Sequence, residues 1–149
     1  MWSKDYTADS TASPQALFAV LRDAAAWPEW NAGVARIEID GPFAAGTTAT
    51  MVLPDQTELT FRLAWVEPDR GFEDETHVPE AGVTVRVGHL LEPHGNGGTR
   101  ITYRCTVEGP DEVGAEVGPA VSADFPDVIA ALAARAETTS VEVAPGRPA

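Results

Sequence analysis

Beyond Asn31 the apolar residues of this chain change their period. Before it they recur every three or four positions. After it they alternate, in runs at 34–40, 47–53, 58–67, 71–78, 83–92 and 99–108 that follow one another closely. Alternation places successive side chains on opposite faces of a strand. The turns between the runs are Gly41-Pro42, Pro54-Asp55, Pro68-Asp69, Glu80-Ala81-Gly82 and Gly95-Asn96-Gly97-Gly98. Connections this short leave no room for a crossover, so consecutive strands are expected as antiparallel neighbours in a meander.

The flanks are helical. Ser13 before Pro14 is a helix start: the serine caps free N–H groups and proline loses nothing at the first position. Leu17, Val20, Leu21 and Ala24 then give one apolar face over 14–24, and a second helical turn is expected around 28–31. Residues 2–9 form a weak first strand. Val121, Phe125, Val128, Ile129 and Leu132 predict a long helix over about 118–137, kinked or restarted at Pro126. Residues 139–149 read as a flexible C-terminal tail behind a single domain of 1–138.

The resulting class is α+β: seven antiparallel strands, two short helices after the first strand, and a long C-terminal helix. One helix cannot cover seven strands laid flat. A curved sheet wrapped around it can, with space for a hollow between them.

Charge narrows the partners. Ten Lys and Arg stand against 23 Asp and Glu, a formal charge of −13. Nucleic acid and anionic membrane surfaces both call for clustered cations, so neither is expected. No leader pattern opens the chain, no apolar run suggests membrane insertion, and Cys105 is alone, which together suggest a cytoplasmic protein. No cofactor motif is found. His77, His89 and His94 lack metal-ligand spacing, and the glycine-rich 95–98 stretch joins strands rather than opening a helix. Nothing in the sequence specifies an oligomeric state.

Tight turns also predict the register: Leu63 opposite Asp74, Asp74 opposite Val87, Val87 opposite Cys105 and His89 opposite Tyr103. The inner face then carries Leu59, Phe61, Leu63, Trp65, Phe72, Asp74, Thr76, Val83, Val85, Val87, His89, Leu91, Ile101, Tyr103, Cys105 and Val107. On the outer face Arg62, Glu75 and Arg86 form a cross-strand charge ladder.

Ser13-Pro14 through Trp27-Pro28-Glu29-Trp30-Asn31 resembles the opening of the polyketide cyclase/dehydrase branch of the START-like, or SRPBCC, superfamily. The stretches Gly41-Pro42-Phe43-Ala44-Ala45-Gly46, Val66-Glu67-Pro68-Asp69-Arg70-Gly71-Phe72, His89-Leu90-Leu91-Glu92-Pro93 and Gly98-Thr99-Arg100-Ile101-Thr102 are similar as well. The resemblance covers roughly 10–138 and implies the helix-grip fold with an apolar ligand cavity. Its motifs mark turns and packing, and a shared fold says little about activity.

The expected cavity wall comprises Trp30, Met51, Phe61, Leu63, Phe72, Asp74, Thr76, Val85, Val87, His89, Tyr103, Cys105, Phe125 and Ile129. Three inward polar groups are candidate catalytic residues: Asp74, His89 and Tyr103. Asp74 is a carboxyl on an apolar face, which either sits near the mouth, hydrogen-bonds a core partner, or holds its proton. His89 and Tyr103 form either a satisfied core pair or a group that polarises a carbonyl and moves protons. Asp74 and His89 are expected at opposite ends of one small ligand, too far apart for a direct hydrogen bond. Cys105 reads as core packing. Two functions follow: a binder of an apolar aromatic, polyketide-like or lipid-like molecule, or a cofactor-free cyclase/dehydratase. A third, a protein-interaction surface on the outer face, fits the mixed charge there less well.

Overall fold

In a computed structural model, which describes residues 1–143 (side chains to 138), the elements follow the expected order. They are β1 (Trp2–Ser10), α1 (Pro14–Arg22), a 3-10 helix (Ala24–Glu29), β2 (Arg36–Ile39), β3 (Thr48–Val52), β4 (Glu58–Glu67), β5 (Gly71–Val78), β6 (Val83–His94), β7 (Gly98–Glu108), α2 (Asp111–Ser122) and α3 (Phe125–Val143). The strands form one antiparallel sheet in the order β1-β7-β6-β5-β4-β3-β2. Six of them are the meander, and β1 closes onto β7 from the other end of the domain. This is the helix-grip arrangement.

Helix α1 starts as its sequence dictates. The Ser13 hydroxyl accepts from Ala16 N at 3.1 Å, and Pro14 occupies the first turn. Leu17, Phe18 and Leu21 are buried along one face. The second helical segment begins at Ala24, earlier than expected, and contains Pro28 instead of starting there. Trp27 fixes it, donating its Nε1 hydrogen to the Leu21 carbonyl at 2.8 Å.

At the C-terminal end there are two helices, and the first begins at Asp111, well before Gly118. Its small residues hide it from a search for apolar periodicity. Gly118 shows why they are small: a Cβ there would lie 2.2 Å from the Trp2 ring. The indole of β1 is therefore seated on the glycine. The helix restarts at Phe125, so Pro126 falls in the first turn of α3, where it is harmless. Helix α3 also continues to Val143, so residues 139–143 are helical rather than tail; residues 144–149 lie outside the described residues. The segment Asp111–Thr138 is long and apolar enough, by length and composition alone, to cross a membrane. Here Phe125, Ile129, Leu132 and Ala136 are buried in the core.

All four expected cross-strand pairs are present: Leu63 with Asp74, Asp74 with Val87, Val87 with Cys105, and His89 with Tyr103. The outer ladder is present and longer. Glu75 takes Arg86 Nε at 3.0 Å and Arg62 at 3.9 Å, and Arg86 reaches Glu108 at 2.6 Å. One inner-face assignment fails. The β4–β5 register shifts between Leu63 and Trp65, so Trp65 pairs with Glu73 and donates its indole N–H to that outer-face carboxylate at 2.9 Å. A bulge adds one residue and turns the following side chains over.

Gly71 opens β5 with φ +134°, and a Cβ there would lie 1.9 Å from the His89 carbonyl oxygen. Only glycine allows β5 and β6 to approach so closely at this point. That approach places Phe72 directly beside His89.

Candidate functional site

The concave face of the sheet, the segment after the 3-10 helix, the β3–β4 turn and the α2–α3 junction line a partly open hollow of about 690 Å³. It is a size that suits a small organic molecule. Of the residues expected on its wall, Trp30, Met51, Phe61, Phe72, Asp74, Thr76, Val85, Val87, His89, Tyr103 and Phe125 line it. Leu63, Cys105 and Ile129 do not; each is buried in the core at 1% exposure or less. The concave face is longer than the hollow, and core packing fills the remainder. Alternation identifies the face, but not which part of it is left uncovered.

Several wall residues went unforeseen. Trp27 is both core and wall. Its indole stacks near Phe61 and Phe72, with centroids 6.1 and 6.0 Å away. Asn31, Asp55 and Asp124 add polar groups from a loop, a turn and the break between helices. Loop and junction residues carry no periodic signal, so only the folded chain brings them to the site. Helix α2, of which the sequence reading held only the end from about 118, supplies Val117, Ala120 and Val121.

At the base of the hollow an aromatic stack surrounds two titratable groups. The His89 ring lies flat against Phe72, at 3.9 Å and 10°, and meets Tyr103 edge to face at 4.5 Å. Tyr103 in turn meets Phe125 at 5.6 Å. No hydrogen bond joins His89 to Tyr103, so they are not a hydrogen-bonded core pair. Asp74 Oδ2 is 3.7 Å from His89 Nε2. That is beyond hydrogen-bonding distance, as expected. It is nonetheless far shorter than the span of a ligand, so the expectation of opposite ends is corrected. Diagonal neighbours on a strongly curved sheet converge on its concave side, which flat-strand spacing overestimates.

Burial sets the protonation of this group. Asp74 has no cation beside it, and burial, reinforced by the Glu73 charge, pushes its carboxyl up to about 8. Burial also brings His89 down to about 3, against smaller upward pulls from the Phe72 and Val87 backbone. The Tyr103 hydroxyl is raised above its ordinary value by burial and by the charges of Asp74 and Asp124. At neutral pH the trio is therefore uncharged: Asp74 holds a proton, His89 has a free lone pair, and Tyr103 keeps its hydrogen. Such a group can donate to a carbonyl or hydroxyl oxygen and accept a proton nearby.

Two buried nitrogens on the wall have no partner, Trp30 Nε1 and His89 Nδ1. Buried polar atoms are nearly always paired, so these are the natural points for contact with a guest. Among the described residues no three His, Cys, Asp or Glu side chains gather as a metal site. Cys105 is fully buried, and its thiol is pushed up to about 11, chiefly by burial.

A curved sheet gripping a helix above an aromatic hollow defines a START-like, helix-grip protein. The chain belongs to the family described as polyketide cyclase / dehydrase and lipid transport, which it matches over residues 1–137. No curated protein sequence matches it. Among solved structures it is similar to a norcoclaurine synthase from Thalictrum flavum, at 14% identity and TM-score 0.77, covering 93% of this chain and 96% of that one. A START superfamily protein from Mycobacterium smegmatis is similar at 15% identity and TM-score 0.72, covering 92% and 98%. The di-domain ARO/CYC StfQ of the steffimycin biosynthetic pathway is similar at 16% identity and TM-score 0.74, covering 93% of this chain and 51% of that one. At these identities the likeness is one of fold.

Proposed function

We propose that this protein binds an apolar, aromatic, polyketide-like or lipid-like small molecule in the hollow. The observation that carries the reading is the wall itself: aromatic and aliphatic side chains around a 690 Å³ space with a few converging polar groups. Ligand pockets are generally built this way. The family description, which spans cyclases, dehydrases and lipid transport, supports a small-molecule role. An apolar fluorescent probe tests it. The probe binds the native protein, and Val87→Trp or Phe61→Trp fills the space and abolishes binding. Binding that survives both substitutions places the probe elsewhere and removes the reading.

A second reading, a cofactor-free cyclase or dehydratase, is favoured by the 3.7 Å approach of Asp74 to His89. The protonated carboxyl would donate to a ligand oxygen, the neutral imidazole would take a proton from an adjacent carbon, and Tyr103 would orient the oxygen. Asp74→Asn and His89→Ala separate the two readings on a candidate polyketide substrate. Lost turnover with retained binding supports the enzyme; lost binding alone leaves a carrier.

A further inference from the structure

We propose that the hollow selects an aromatic ligand bearing a protonated amine, with the cation directed at Asp74 and the ring held among Trp27, Phe61 and Phe72. This rests on the reading of the hollow as a ligand site and specifies the charge of its guest.

The first support is the charge of the wall. Three carboxyl residues line it, Asp55, Asp74 and Asp124, and no lysine or arginine does. The arginines of the sheet are paired with other carboxylates, Arg62 and Arg86 with Glu75, Arg100 with Asp9, and Arg104 with Asp5. A carboxylate or phosphate ligand would enter an acidic chamber with no counter-ion. The chain's charge of −13 adds a field that concentrates cations and repels anions.

The second support is chemical. The carboxyl of Asp74 is 17% exposed, and the nearest basic nitrogen is His89 Nε2 at 3.7 Å. The other titratable groups coupled to it are Glu73, Tyr103 and Cys105, with Asp124 acting on Tyr103 beside it, and none of them is cationic. An ammonium arriving with the ligand supplies the missing positive charge in a low-dielectric space, where opposite charges attract strongly. Faces of Trp, Phe and Tyr attract the same cation.

The third support is independent of charge. The His89 side chain is 10% exposed, lies on the wall, and has an unpartnered Nδ1; Trp30 Nε1 is unpartnered too. A hydroxyl or ether oxygen on the same ligand would satisfy such a nitrogen, as a plain hydrocarbon tail would not.

Calorimetry with three probes of matched shape, naphthylethylamine, naphthylethanol and naphthylacetate, tests the proposal at neutral pH. The amine is expected to bind about tenfold more tightly than the alcohol, the scale of one charge-assisted hydrogen bond, and the acetate most weakly. Asp74→Asn should bring the amine-to-alcohol ratio near one. In the unaltered protein, amine binding should expel a proton from Asp74, seen as a binding heat that depends on the buffer's ionisation enthalpy. An amine that binds no more tightly than the alcohol, or a ratio that survives Asp74→Asn, overturns the proposal and leaves the ligand site standing. If none of the three binds, both fall together.

Discussion

Asp74 Oδ2 and His89 Nε2 approach to 3.7 Å at the base of an aromatic hollow, and burial leaves both groups uncharged at neutral pH. In water at that pH the carboxyl would be ionised. The folded chain therefore holds a proton that the unfolded chain releases, which makes the pair visible in thermodynamics.

The first prediction concerns stability against pH. The Asp74 pKa rises from 3.8 unfolded to about 8 folded, so between those values the native state binds the extra proton. Stability then falls as pH rises through that window, by up to about 1.4 kcal/mol per unit. For His89 the folded value is depressed to about 3 from 6.5, so its contribution rises with pH across that lower window and opposes the first. Above pH 6.5 only the Asp74 decline remains. Urea unfolding at several pH values should show the native protein losing stability towards pH 8 relative to Asp74→Asn. Parallel curves would mean that Asp74 titrates as a free carboxylate.

Leu132 is fully buried on α3 between helix and sheet. Leu132→Ala should cost about 2–5 kcal/mol, the range for a packed leucine that leaves a cavity. Val121→Ala, at the 38% exposed surface of α2, should cost well under 1 kcal/mol. Denaturant midpoints of the two variants measure the contrast.

Gly71→Ala forces a side chain onto a φ of +134° and a Cβ against the His89 carbonyl oxygen. A loss of more than about 1 kcal/mol is expected. Because the strands must separate beside His89, the His89 ring resonances should shift more than those of the exposed His77, on the same strand β5 as Gly71. Unchanged stability would show that β5 and β6 have slack at this point.

Cys105 is 0% exposed and its thiol is pushed up to about 11. An aromatic disulfide reagent should therefore label it only when the chain opens, because the thiolate is the reactive form. Labelling kinetics that track urea-dependent unfolding are expected. Rapid labelling of the native protein would place the thiol on an accessible wall.

The sheet was legible in the sequence because its evidence is local and periodic. Each strand of the meander announces its two faces, and short turns leave one register between neighbours. Alternation and tight turns alone thus put Leu63, Asp74, Val87 and Cys105 in one row, and the pairing is the one the sheet adopts. The failures share a cause too. Trp65 turned outward because one extra residue in a bulge reverses every later side chain, and a bulge has no signature in apolar alternation. The start of helix α2 at Asp111 was missed because glycines that receive Trp2 replace the apolar face a helix would advertise.

By itself, then, the sequence determined the order of the strands, their antiparallel pairing and the concave face carrying Asp74, His89 and Tyr103. Tertiary structure alone decided how much of that face stays uncovered. It buried Leu63, Cys105 and Ile129, and it brought Asn31, Asp55 and Asp124 from loop, turn and helix break to the same space. The curvature of the sheet also drew Asp74 to His89, a distance that strand spacing cannot supply. Periodicity reports which way a side chain points along its own strand. Protonation and enclosure depend instead on what arrives from the rest of the chain.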